Sequence, residues 1–187
     1  MSGNMEIVQT LYEDFAYDNN IALFKYPYGK TVPGKELSKY YEILKEEELS
    51  GEQSDYNKAV KIMQRLYKDY TQAGITDVWT SAEEAFKLGK GVCQDYVHIF
   101  IALCRLSKIP SRYVTGFMIG EGESHAWAEI LFGDKWIGVD PTNNLLIDDN
   151  YIKLCHGRDA TDCRINLGII IGGGEQVTDI KANVTKI

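Results

Sequence analysis

Apolar positions recur every three or four residues through the first half of the chain and every second residue through its middle. Those two periods predict helices first and strands afterwards. Ile7, Leu11, Tyr12 and Phe15 fit one helical face, and Leu37, Tyr40, Tyr41 and Leu44 fit a second. Between them, residues 26–34 hold Pro27, Gly29, Pro33 and Gly34, which predicts a loop. The charged run at 45–48 reads as a solvated helical face. Ser54 or Asp55 caps a third helix carrying Ala59, Ile62, Met63, Leu66 and Tyr70, which Gly74 ends. Ser81 and Glu84 stand at capping-box spacing and open a short helix that stops at Gly89 and Gly91. A further helix opens at Cys93, buries the face made by Tyr96, Val97, Phe100, Leu103 and Cys104, and ends near Lys108, before Pro110.

Beyond Pro110 the period changes to that of strands. Residues 112–117 are rich in Tyr, Val and Thr, and residues 125–132 and 135–140 alternate around a Gly133–Asp134 turn. Gly as the first of two loop residues suits a type II′ hairpin. Residues 118–124, with Gly120 and Gly122, read as a mobile flap that would bring Glu121 and Glu123 to a cleft mouth. A last β-like region spans 167–171 and 176–184. Helices followed by an antiparallel sheet define an α+β fold. The 187 residues predict one domain over 1–187, with a helical part at 1–75, a catalytic core at 76–145 and a C-terminal extension at 146–187.

Composition narrows the function more than the fold. Basic residues number 20 against 27 acidic, a net charge of −7, which disfavours nucleic acid and anionic membranes as partners. The first twenty residues hold no apolar run of signal-peptide length, and no later stretch approaches the roughly 20 residues of a membrane helix. The expectation is a cytoplasmic protein. In that setting the four cysteines, Cys93, Cys104, Cys155 and Cys163, are expected as free thiols rather than a disulfide framework. Cys93 and Cys104 on one continuous helix lie about 16 Å apart along its axis, beyond the about 7 Å between alpha carbons that a disulfide allows. Cys155, His156 and Cys163 would be the donors of a structural zinc site, but their spacing matches no paired Cys-x-x-Cys pattern, and no metal is expected.

Cys93 is the sharpest chemical feature. It follows a glycine-flanked break and opens an amphipathic helix, where unpaired N–H groups and the positive end of the macrodipole favour a thiolate. His125 starts a strand, and the hairpin register faces Phe132 with Lys135 and therefore Trp127 with Asp140. Strand alternation places His125, Trp127 and Asp140 on one face, with His125 and Asp140 as diagonal neighbours about 7–8 Å apart between alpha carbons. Cys, His and Asp in that relation are a nucleophile, its acid–base partner and the group that orients the imidazole.

The blocks that hold these residues resemble the transglutaminase-like superfamily. They are Gly91-Val92-Cys93-Gln94-Asp95-Tyr96, then Arg105 and Ile109-Pro110-Ser111-Arg112-Tyr113-Val114-Thr115-Gly116, then His125-Ala126-Trp127, then Asp140-Pro141-Thr142-Asn143. The resemblance runs from about Thr80 to Asn143, and Gly157-Arg158-Asp159 with Asp162 looks like the family's bacterial extension. It implies a papain-like cysteine fold, with a helix bearing Cys93 packed on an antiparallel sheet bearing His125 and Asp140. It implies thiol-dependent acyl chemistry on an amide, with no cofactor. A peptide or protein amide is the expected partner, and a cysteine peptidase or amidase the favoured reading. A protein-glutamine transglutaminase uses the same three residues with an amine as acceptor, and a peptide-binding module without turnover is the third reading. The Cys93 N–H supplies one oxyanion donor. Gln94, Trp79 and Trp127 are candidate oxyanion or cleft residues, with Tyr70 as a further donor candidate. Asp95 is expected to bind backbone or Arg112, while His98, His156 and Cys104 are expected to be structural.

Overall fold

The structure is a computed structural model, and it describes residues 14–15, 21–74, 76–122, 124–165 and 182–185. Strand β1 (Asp14–Phe15) and helix α1 (Ala22–Lys25) lead to α2 (Lys35–Leu44), which continues through a π-helical turn, Lys45–Leu49. Helix α3 (Asp55–Asp69), strand β2 (Thr71–Gln72), α4 (Ala82–Leu88), β3 (Lys90–Gly91) and α5 (Cys93–Leu106) follow. The chain then runs through β4 (Ser111–Met118), β5 (Gly120–Gly122), β6 (His125–Phe132), β7 (Lys135–Asp140), β8 (Leu145–Leu146), β9 (Tyr151–Gly157) and β10 (Ala182–Val184). The main sheet has the order β1-β7-β6-β4-β9, antiparallel throughout, with β8 also on β7. The architecture is α+β.

Local chemistry sets the helix ends. The Ser54 hydroxyl accepts the Asn57 N–H at 3.3 Å and starts α3. Ser81 and Glu84 form the full capping box of α4, and Gly89 closes that helix at φ +67°. Helix α5 ends in a Schellman turn, with Ile109 N–H on the Cys104 carbonyl and Lys108 N–H on that of Arg105. Lys108 holds the left-handed position there, at φ +61°.

Helix α5 is the centre of the molecule, and all of its residues from Asp95 to Arg105 are buried. Leu37, Tyr41, Ala59, Ile62, Met63, Leu66 and Ala85 from α2, α3 and α4 join its core on one side. Tyr113, Ala126, Ala128, Ile130 and Val139 join it from the sheet. Each large apolar side chain so buried contributes about 1.5–3 kcal/mol. The other sheet face holds a smaller cluster of Val114, Trp127 and Tyr151, with Met118 and Ile147 against it. Gly116 allows β4 to sit there: a β-carbon at this position would lie 2.0 Å from the Ile152 carbonyl oxygen and 2.5 Å from the Trp127 ring.

Several sequence expectations change. Asp14 and Phe15 pair with β7 as an edge strand rather than extending a helix, and Ile7, Leu11 and Tyr12 lie outside the described residues. The segment read as a mobile flap contains β5, which is hydrogen-bonded to β10 (Ala182↔Gly122 to Val184↔Gly120), while Glu123 lies outside the described residues. That pairing comes from far along the chain, where local composition is silent. Residues 167–171 also lie outside the described residues, and of 176–184 the structure describes 182–184, as β10. The 45–48 run is solvent-facing as expected, yet Glu47 and Glu48 both grip Arg65, at 2.8 and 2.7 Å.

Candidate active site

Cys93 is the first residue of α5, with Val92 as N-cap. The N–H groups of a helix's first turn have no partner within the helix. Asp95, two residues on, turns back and accepts the Val92 N–H at 2.8 Å. The same carboxylate oxygen accepts the Thr76 hydroxyl, so the turn before α4 is fastened to the start of α5. Asp95 is buried, and that burial raises its pKa. The expected alternative partner, Arg112, lies elsewhere: its guanidinium pairs with Glu129 at 2.5 Å and stacks 4.1 Å from the Trp136 ring.

Gln94 extends its side chain to the Asp77 carbonyl at 3.2 Å and so ties the Asp77–Thr80 turn to the residue after Cys93. On that turn Trp79 is 63% exposed, so it is not a core residue. Its N–H donates to the Asp77 carboxylate at 2.8 Å, and Lys30 and Arg164 flank its ring at 5.4 and 4.7 Å. Tyr70 is not placed to serve as an oxyanion donor: its buried hydroxyl donates to the Ala85 carbonyl at 3.0 Å.

His125 and Asp140 come together through the hairpin. Gly133 takes φ +64°, and the pairing runs from Phe132↔Lys135 to Ala128↔Val139, the register that the two-residue turn dictates. Past the last of these pairs, His125 Nε2 lies 2.8 Å from Asp140 Oδ2. The Cys93 thiol is near enough to act on the pKa of the same imidazole. With Nε2 given to Asp140, Nδ1 is the ring nitrogen left for the thiol. Burial would lower the His125 pKa, but the hydrogen bonds to Asp140 and Cys93 and their charges outweigh it, and the pKa is raised to about 9.

Asp140 is fully buried and heavily solvated by protein. Its Oδ1 accepts the Thr142 and Asn143 N–H groups at 3.0 and 3.2 Å, an Asx-type turn. Its Oδ2 accepts the Asn143 amide at 2.8 Å and the Tyr151 hydroxyl at 2.9 Å, beside His125. Burial alone would raise its pKa, but these bonds and the imidazole hold it below the usual carboxylate range. Trp127 is fully buried beneath the site, stacked on His125 at 6.3 Å and edge-on to Tyr151 at 5.5 Å. Tyr151 and Thr76 escaped the sequence reading, and Asn143 stood in a motif without a role. Asn143 was findable as the fourth residue of an Asx turn, whereas nothing periodic marks Tyr151.

The remaining candidates are structural. Cys104 is fully buried in α5, and burial pushes its thiol pKa up. His98 is equally buried; its Nε2 accepts the Ala160 N–H at 3.2 Å, and burial lowers its pKa to about 4, so it is neutral at pH 7. The His156 ring meets Phe24 at 6.5 Å. Strand alternation sends it away from Cys155, so the three proposed zinc donors do not converge.

Three comparisons place this arrangement among known proteins. The model of the transglutaminase-like superfamily matches residues 44–141, just over half of the chain. An uncharacterized protein of Mycobacterium leprae is 36% identical over 124 residues, covering 61% of this chain and 44% of that protein. An uncharacterized protein of Mycobacterium tuberculosis is 34% identical over 138 residues, covering 64% and 44%. The crystal structure of a "putative cysteine protease" from Cytophaga hutchinsonii superposes with a TM-score of 0.68 at 30% identity, covering 79% of this chain and 50% of that one. The chain thus spans about half the length of the relatives it matches. With Cys93 at the helix start, His125 and Asp140 on the adjoining hairpin, and a family match spanning all three, the chain belongs to the transglutaminase-like superfamily.

Proposed function

We propose that this chain is a cysteine peptidase or amidase that cleaves amide bonds of peptide or protein substrates. One observation carries the reading: an imidazole hydrogen-bonded to a buried carboxylate has its pKa raised by that carboxylate and by the thiol at a helix N-terminus. The kinship with the Cytophaga hutchinsonii protein supports it. In this mechanism the Cys93 sulfur attacks the amide carbon while the helix-start N–H of Cys93 stabilises the oxyanion. Protonated His125 gives its proton to the leaving amine. It then takes one from water, which attacks the thioester and releases the acid. Asp140, held by Asn143 and Tyr151, keeps the imidazole in the productive tautomer throughout.

The test is labelling with a thiol-reactive amide mimic, followed by cleavage of a peptide library with and without added primary amines. Labelling at Cys93 and hydrolysis abolished by Cys93→Ser are expected, a loss of about 10⁴-fold or more. Incorporation of the amine in preference to water would replace this reading with a transglutaminase. Absence of any turnover, with Cys93 unlabelled, would leave a binding module.

A further inference from the structure

A second pair of thiols lies outside the active site. Cys155 is on β9, and Cys163 is at the end of the turn that follows it. The period of the strand puts Cys155 and Gly157 on the same sheet face. Gly157 has no side chain; Asp162 packs most closely over it, and the Cys163 sulfur lies beside it, 3.1 Å from where a β-carbon would stand. The Cys155 thiol donates to the Cys163 carbonyl at 3.7 Å, and the Cys163 thiol donates to the Tyr113 carbonyl at 3.7 Å. Burial, and after it the neighbouring Cys155 thiol, pushes the Cys163 pKa up. No bond joins them.

We propose that Cys155 and Cys163 form a dithiol site that a low-molecular-weight disulfide such as glutathione disulfide oxidises to an intramolecular bridge. Cys155 is half-buried and Cys163 only 3% exposed, so the reagent meets Cys155 first. Deprotonated Cys155 attacks one sulfur of the reagent, its S–S bond breaks, and one glutathione leaves as thiol after taking up a proton. Cys163 then loses its proton and attacks the Cys155 sulfur, expelling the second glutathione. The protein loses two protons and two electrons, and the reagent takes up both to become two thiols. Cys93 reacts differently. Its helix neighbour Cys104 is eleven residues away and fully buried, so Cys93 has no resolving thiol on its own helix. The bridge would close the turn whose Asp159 carboxylate accepts the Lys30 N–H at 2.9 Å and whose Ala160 N–H binds His98.

Trypsin separates the two thiols after Arg158, leaving Cys155 on peptide 154–158 and Cys163 on peptide 159–164. The full chain and its Cys93→Ser variant are incubated folded with glutathione disulfide and mapped without reduction. Both are expected to yield these two peptides joined, lighter by about 2 Da than their sum. Cys163→Ser is expected to trap one glutathione on Cys155. Glutathione persisting on Cys155 in the wild type, or both thiols staying free while Cys93 is modified, would overturn the proposal. If Cys163→Ser does not fold, the wild-type map still decides.

Discussion

At the residue scale the chemistry turns on how one imidazole is held. The His125 pKa is raised from 6.5 to about 9, so its folded-state value lies above its unfolded one. Its contribution to stability is therefore complete below about pH 6.5 and is lost as pH climbs towards 9. Asp140 has the opposite sign: its pKa is depressed, so its contribution holds above the unfolded carboxylate value and is lost in acid. In the proposed mechanism the same cationic imidazole is the acid for the leaving amine, so the alkaline limb of kcat/KM is expected near pH 9. Asp140→Asn removes the charge and should move that limb down towards 6.5, with a loss of up to about 10⁴-fold in kcat. Tyr151→Phe leaves Asp140 with one donor fewer. A net loss of about 1 kcal/mol, or roughly 5-fold in kcat, is expected, with a small upward shift of the limb, because the less solvated carboxylate holds the imidazolium more strongly. A Tyr151→Phe profile identical to wild type would show the hydroxyl is only packing.

At the element scale the helix starts do most of the positioning. Ser81 bonds Glu84 through both its hydroxyl and its N–H, and α4 thereby begins directly after the turn that Gln94 and Asp95 fasten to α5. Ser81→Ala should cost about 1 kcal/mol and lower Tm by roughly 2–4 °C in thermal unfolding. This capping box, the Cys93 helix and the 125–140 hairpin were legible because each rests on neighbours within a few residues. The turn type fixed the register, and the register brought His125 and Asp140 to one face. Illegible were the interactions between distant segments. The β5–β10 pair spans some sixty residues, and the Tyr151 hydroxyl reaches Asp140 from a strand whose sequence alternates without a marked apolar face. Lys108 in a left-handed turn also gave no signal, since glycine is the usual occupant.

At the scale of the whole molecule one buried cation joins segments that are far apart in sequence. Arg105, fully buried in α5, donates to the Phe24, Ser111 and Arg158 carbonyls at 3.1, 2.9 and 2.9 Å and to the Thr31 hydroxyl. The helix, the first loops, the head of β4 and the turn after β9 all meet at this guanidinium. Arg105→Met preserves bulk but strands four acceptors, of which those on Thr31 and Ser111 are buried, at about 1–3 kcal/mol for each that water cannot reach. Urea unfolding should show a loss of at least about 3 kcal/mol, and a variant within 1 kcal/mol of wild type would mean solvent replaces the guanidinium.

The stacking of His125 on Trp127 has an optical consequence. A protonated imidazole quenches an adjacent indole, and Trp127 is fully buried, so its emission lies at the blue edge, apart from that of the 63%-exposed Trp79. Blue-edge emission should therefore brighten as alkali deprotonates His125, with a midpoint near pH 9 that falls in Asp140→Asn. The charge on the imidazole then becomes readable in resting protein, without substrate.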